Sequence, residues 1–155
     1  MVVQIKGTGQ GSAKFLSRTK IGETTPSNSW YAKLDTTTTD VGYGVAIDSS
    51  GNVYVVGTTG TDILIIKYNN TGSLVWQRKL SGASSTDAGS GIAVDNLGNV
   101  YIVGYTDNAL TTDILIAKYN TSGTLLWQTI LVGSSGDYGF GIAVDSSGNV
   151  YVVGT

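Results

Sequence analysis

Gly44-Val-Ala-Ile-Asp-Ser-Ser-Gly-Asn-Val-Tyr-Val-Val-Gly57 returns as Gly91-Ile-Ala-Val-Asp-Asn-Leu-Gly-Asn-Val-Tyr-Ile-Val-Gly104 and again as Gly141-Ile-Ala-Val-Asp-Ser-Ser-Gly-Asn-Val-Tyr-Val-Val-Gly154. One phrase is written three times. An internal repeat of this kind decides the architecture before any residue is given a chemical role, because each copy must form the same supersecondary unit. It also places whatever recurs in every copy with the scaffold rather than with a reaction centre.

Working outward, Asp40, Asp87 and Asp137 open successive units at steps of 47 and 50 residues. Each unit divides into four extended runs. In the first, Gly44 to Asp48 is short and built of small or β-branched residues, and a tight turn at residues 48–52 leads to the run Asn52 to Thr58. Asp62 to Asn69 follows, then a turn at residues 70–72, then Ser73 to Leu80. Four short antiparallel strands in each unit of about 40 to 50 residues predict an all-β fold of propeller blades. Gly44 and Ala46 suit the innermost strand, where blades crowd the axis, and Trp76 and Trp127 suit the wide outer strand. The units differ in length mainly in the loop before the third strand, Thr58 to Thr61 in one and Tyr105 to Thr112 in the next.

Ser29-Trp30-Tyr-Ala-Lys-Leu34 matches Val75-Trp76-Gln-Arg-Lys-Leu80, so the chain enters the repeats on a fourth strand. Upstream, Phe15 to Lys20 reads as a degenerate third strand, with Lys20 aligned on Lys67 and Lys118. Thr155 follows a second strand. The expectation is third and fourth strands, two whole blades, then first and second strands: three blade equivalents and an incomplete ring. Typical propellers have about four to eight blades. Two readings stay open, two chains sharing split blades in a six-bladed ring, or one piece of a longer propeller.

The pattern Asp-x-Gly-x-Gly-[IV]-Ala-[VI]-Asp-x-x-Gly-Asn-Val-Tyr-[VI]-Val-Gly, with Asp-Ile-Leu-Ile-x-Lys-Tyr-Asn and Gly-x-Leu-x-Trp-Gln downstream, resembles the bacterial and phage β-propeller repeat family named for seven-bladed propellers (SBBP-type). The resemblance covers about residues 29 to 155. It implies a fold and a habit of scaffolding or binding in surface, secreted and virion proteins, and brings no catalytic motif with it.

Composition agrees with an all-β chain: of 155 residues 22 are Gly, 1 is Pro, none is Cys or His, and Glu23 is the only glutamate. Without cysteine there are no disulfide staples or thiolate metal sites. The start of the chain lacks the basic and apolar pattern of a signal peptide, and no run approaches membrane-spanning length. The first 33 residues hold Lys6, Lys14, Arg18, Lys20 and Lys33 against Glu23, a net +4, and the remainder carries −6. Residues 1–26 therefore read as a basic arm in which Lys6, Lys14, Arg18 and Lys20 dock on something acidic, such as a neighbouring copy, and residues 27–155 as the repeats.

Catalysis is not expected, because the usual acid–base and nucleophilic side chains are missing. An acidic body argues against nucleic acid, and no cofactor or metal is expected. The Asp-x-x-Gly-Asn turns (Asp48 to Asn52, Asp95 to Asn99, Asp145 to Asn149) hold too few oxygen ligands for calcium and suit hairpins with Gly at positive φ. Asp40, Asp87 and Asp137 are expected to bond blade loops rather than to ring a cation. Trp30, Trp76 and Trp127 are expected between blades. Gly7-Thr-Gly9-Gln-Gly11 lacks the setting of a phosphate loop.

Positions that vary within the constant frame remain as candidates for ligand contact. These are Val41 and Tyr43, Ala88 and Ser90, Tyr138 and Phe140 before the inner strand, and the segment Tyr105 to Thr112. From them Tyr43, Tyr105, Asp107, Asn108, Tyr138 and Phe140 are taken as the candidate ligand-binding set, for a glycan, a cell-surface ligand or a protein. The expected function is a non-catalytic structural or assembly protein that associates with itself or with other structural subunits, as a phage tail, fibre or capsid-associated virion component. The alternative is a carbohydrate- or protein-binding module of a bacterial surface or secreted protein.

Overall fold

The computed structural model describes residues 12–16, 31–35, 38–82, 86–107 and 110–155, and every regular element among them is a β-strand. Strands β1 (Ser12–Leu16) and β2 (Tyr31–Asp35) form a two-stranded sheet. Strands β3 (Asp40–Ile47), β4 (Val53–Thr59), β5 (Asp62–Tyr68) and β6 (Leu74–Leu80) form a four-stranded sheet in chain order. Strands β7 (Asp87–Val94), β8 (Val100–Asp107), β9 (Thr112–Tyr119) and β10 (Leu125–Leu131) form a second, and β11 (Gly139–Val144) pairs with β12 (Val150–Gly154). All pairings are antiparallel. This is the order expected from the sequence: third and fourth strands, two whole blades, first and second strands.

Val53-Tyr-Val-Val56 and Ile63-Leu-Ile-Ile66 are continuous apolar runs because their sheet is covered on both faces, which removes the usual polar alternation. Tyr54, Val56, Ile63, Ile65 and Trp76 form one core with Ile92, Val100, Ile102, Leu115, Ala117 and Tyr119 of the next sheet. Val55, Leu64, Ile66 and Tyr68 form a second core on the opposite face. Apolar burial of this kind is the main stabilising term, roughly 25 cal/mol for each Å² removed from water.

The inner strands β3, β7 and β11 lie against one another. A Cβ on Gly44 would stand 3.2 Å from the Ser90 carbonyl oxygen, and one on Gly91 3.2 Å from Gly141 Cα. Small residues at these positions thus permit the crowding at the axis. Each inner strand carries a bulge that leaves Tyr43, Ser90 or Phe140 without a cross-strand partner.

The Asp-x-x-Gly-Asn turns are hairpins. Asp48 accepts from Ser50 N and Asn52 N at 2.9 Å each, from Asn52 Nδ2 at 2.7 Å and from the Tyr54 hydroxyl at 2.9 Å. Gly51, Gly98 and Gly148 take φ of 80°, 80° and 84°, where a side chain would be strained. With four donors on each carboxylate, these turns leave no open coordination site for calcium.

Two expectations change. The upstream strand is Ser12–Leu16, with Leu34 opposite Ala13, whereas the equivalent Leu80 is opposite Ile63. Lys20, which the sequence aligns on Lys67 and Lys118, lies outside the described residues. Tyr105 and Asp107, expected in a loop, lie in β8, because β8 and β9 extend their ladder to the pair Asp107–Thr112.

Candidate functional site: the aromatic mouth and the open blade face

Tyr105, in β8, and Tyr138, just before β11, meet edge to face with ring centroids 5.1 Å apart. Burial and the nearby Tyr43, Tyr138 and Asp87 hold the Tyr105 hydroxyl above its ordinary pKa of 10.0. Three of the candidate residues, Tyr43, Tyr105 and Tyr138, are thus gathered from three successive blades. Phe140 is exposed at the β11 bulge. Asp107 lines a cavity of about 410 Å³ with Leu110, Thr111, Thr112, Ser134, Ser135 and Gly136. Sequence reasoning missed the serine wall; the only signal was the extra length before the third strand. Asn108 lies outside the described residues, as do Lys6, Arg18 and Lys20. Lys14 is placed by the backbone of β1.

Of the acidic residues that open the units, Asp87 is seen to bond a loop through its side chain, and Asp87 and Asp137 reach the preceding sheet through their backbone. Asp87 N–H donates to the Thr61 carbonyl of the preceding sheet at 2.8 Å, and Asp137 N–H to that of Thr112 at 2.7 Å. The Asp87 carboxylate accepts from Gly82 N–H. Among the described residues no group of three or more His, Cys, Asp or Glu is arranged to hold a metal.

A second feature is the way one blade grips the next. The turn between β9 and β10 offers its carbonyls to β5 and β6. Trp76 Nε1 donates to Thr121 O at 3.1 Å, Lys67 Nζ to Thr121 O at 3.3 Å, and Arg78 Nε to Gly123 O at 2.7 Å. Arg78 also lies over the Trp76 ring, and Lys67 over that of Tyr54. This clasp was not foreseen. Its trace in the sequence is a lysine at the same third-strand position in both units.

The next sheet repeats the donor side, with no acceptor for it among the described residues. Trp127 packs edge to face on Tyr101, and Lys118 lies over the Tyr101 ring. Yet Trp127 is 39% exposed where Trp76 is 7%. The expectation that the tryptophans pack between blades holds for Trp76, which is buried against the next sheet, and Trp127 is only partly covered among the described residues. Trp30 lies outside the described residues.

The Beta-propeller repeat family matches residues 35–64, 75–110 and 126–155. The chain belongs to the beta-propeller repeat family. The matches straddle the sheets: one spans β3, β4 and the start of β5, the next β6, β7 and β8 apart from the first residue of β6, the last β10, β11 and β12 apart from the first residue of β10. A search of curated proteins finds no match. The propeller therefore comes with a fold and with two surfaces of its own, the aromatic mouth and the open blade face.

Proposed function

We propose that this propeller chain is a non-catalytic structural protein that acts by assembly with other subunits. The observation that carries the reading is the contrast between Trp76 and Trp127, equivalent residues of which only the first is covered. Leu131, on the same face of β10 as Trp127, is also exposed. Exposed apolar side chains set together on one sheet face mark an interaction surface, and the occupant this face fits is another run of propeller strands. The more specific form of this reading places the assembly in a virion, as a tail, fibre or capsid-associated part. What supports it is a scaffold repeated without chemistry and an open face suited to subunit contact.

Light scattering on the purified chain and on Trp127→Asp tests the assembly. The wild type is expected to exceed the 16.1 kDa monomer and the variant to fall back toward it. A monodisperse wild-type monomer would remove the reading. Co-sedimentation of the chain with particles from cells that produce it tests the virion form.

One observation favours a binding module instead. The Tyr105–Tyr138 pair beside a groove with Asp107, Thr111, Thr112, Ser134 and Ser135 combines an aromatic platform with hydroxyl and carboxylate groups, which is the chemistry of sugar recognition. Calorimetry with a panel of soluble oligosaccharides, against Tyr138→Ala, tests that reading.

A further inference from the structure

We infer that the groove between residues 107–112 and 134–136 takes an amino sugar, a pyranose that carries a free, protonated amine. This rests on the binding reading above and names its ligand class. The groove has a cause in the sequence. In the first whole blade Gly60 and Thr61 join β4 to β5, whereas in the second residues 108–111 join β8 to β9, after a ladder that runs on to the pair Asp107–Thr112. Leu110, Thr111 and Thr112, at the end of that longer connection, line one wall. The other wall is the loop from β10 to β11, tied to the first by the bond from Asp137 N–H to Thr112 O at 2.7 Å. The space between them is about 410 Å³, within the range of roughly 300–1,000 Å³ that small-molecule sites occupy.

Hydroxyls, an aromatic ring and carboxylates meet at this groove. Thr111, Thr112, Ser134 and Ser135 supply hydroxyls, which both donate and accept and so match the hydroxyls of a sugar ring. A Cβ on Gly136 would stand 3.6 Å from Tyr138 Cε2 and 3.8 Å from its hydroxyl oxygen, so the Tyr138 ring borders the space, and Tyr105 braces it edge to face. Alternation along β8 puts Tyr105 and Asp107 on one face of the sheet. The carboxylate and the aromatic pair therefore look the same way. Charge decides the ligand. Asp107 lines the groove, and the Asp137 carboxylate lies against Gly133 at the foot of the second wall. No Lys or Arg lines the groove. Lys79 is held by Asp62, Lys67 and Arg78 by residues 121–123, and Lys118 by the Tyr101 ring. A sugar acid would set like charge against Asp107, and a neutral sugar would take water from that carboxylate without replacing it by a charge. An ammonium on the ring is attracted both by the carboxylate and by a tyrosine face.

Calorimetry of the full chain with the trimer of glucosamine, held where its amines are protonated, and with the N-acetylated trimer tests this, because the two ligands share a ring and differ in charge. The free-amine trimer is expected to bind about ten-fold tighter. It should lose that advantage in Asp107→Asn, which keeps the shape of the side chain and removes its charge. Salt gives a check that needs no variant: the affinity for the free-amine trimer should fall as ionic strength rises, and that for the acetylated trimer should hold. Equal or weaker binding of the free-amine trimer, or a preference that survives both Asp107→Asn and high salt, would overturn the amine and leave the sugar reading standing. Trilysine bound as tightly as the glucosamine trimer would overturn the inference, since charge alone would then account for it. If neither trimer binds to a chain that circular dichroism shows to be folded, both readings fall.

Discussion

Tyr101 donates its hydroxyl hydrogen to Asp95 Oδ2 at 3.1 Å, from the second strand of a blade back to the turn that precedes it. The pairs Tyr54–Asp48 and Tyr151–Asp145 repeat the contact at 2.9 and 3.1 Å. Each fixes a buried or blade-facing ring to the rim of its own hairpin, so local turn chemistry and inter-blade packing share one residue. Asp95 also accepts from Leu97 N, Asn99 N and Asn99 Nδ2. Asp95→Ala is expected to cost about 1 kcal/mol, the modest value being due to a carboxylate that remains partly open to water. Asp95→Asn should cost less, since it keeps two of the acceptor contacts. Urea denaturation of the three proteins checks the order.

Stability is expected to fall in acid. Partial burial pushes the Asp48 and Asp95 carboxyls up, but the bonds from Asn52 and Asn99, from turn amides and from the tyrosines outweigh it, and both lie below 3.8. Asp145 is lowered as well, chiefly by Asn149, and Asp62 by Lys79. A carboxylate depressed by folding stabilises above its unfolded pKa, and that contribution is lost as pH falls through the folded value. The urea midpoint should therefore hold between pH 7 and about 5 and drop below about pH 4. A midpoint unchanged at pH 3 would count against the turns as a source of stability.

Most of this fold is legible because a blade is a local object. Strand order, the Asp-x-x-Gly-Asn hairpins and the short entry strand all follow from residues within one unit, and the threefold repeat reads each of them more than once. What was illegible depends on neighbours. Trp76 and Trp127 have the same local sequence, yet only one is covered. The grip of Lys67 and Arg78 on residues 121–123 links positions 45 to 54 apart in the chain, so no single unit contains it. Tyr43, Tyr105 and Tyr138 were chosen for varying within a constant frame, and that criterion does find residues that converge, because variable positions of successive blades share one end of the structure.

Gly104 allows a close backbone approach. It pairs with Gly89 beside the bulge, and a Cβ there would run into the Ala88 carbonyl group. The obstacle is backbone, which cannot swing aside as a long side chain can. Gly104→Ala is expected to cost at least 1–3 kcal/mol, in the range of overpacked cores, while Gly136→Ala, with its nearest neighbour atom 3.6 Å away on Tyr138, should be close to neutral. Thermal melts followed by circular dichroism separate the two.

Alkali should also unfold the protein, within a defined window. Burial pushes the Tyr119 hydroxyl up to about 12, and burial together with Asp48 raises that of Tyr54 still further. A group whose pKa is raised by folding contributes stability that is complete below its unfolded value, about 10 for tyrosine, and is lost as pH rises through the folded one. The urea midpoint should begin to fall near pH 10 and keep falling to about pH 12. Tyr119→Phe, which removes the ionising group and keeps the ring, is expected to retain more stability than the wild type at pH 11.

The two tryptophans should respond differently to truncation. Trp76 is buried in the core between the two whole blades and bonded to Thr121 O, so Trp76→Ala is expected to cost about 3–5 kcal/mol at any protein concentration. Trp127 faces the unfilled side of β9 and β10, where its burial depends on a partner. If a second copy supplies that cover, association stabilises the folded chain by mass action, and the melting temperature of the wild type rises with concentration. Trp127→Ala should abolish that rise while lowering the melting temperature of the dilute chain much less than Trp76→Ala does. Calorimetric scans over a hundred-fold range of concentration distinguish the two effects. Parallel shifts for both variants would mean that the open face is not where copies meet.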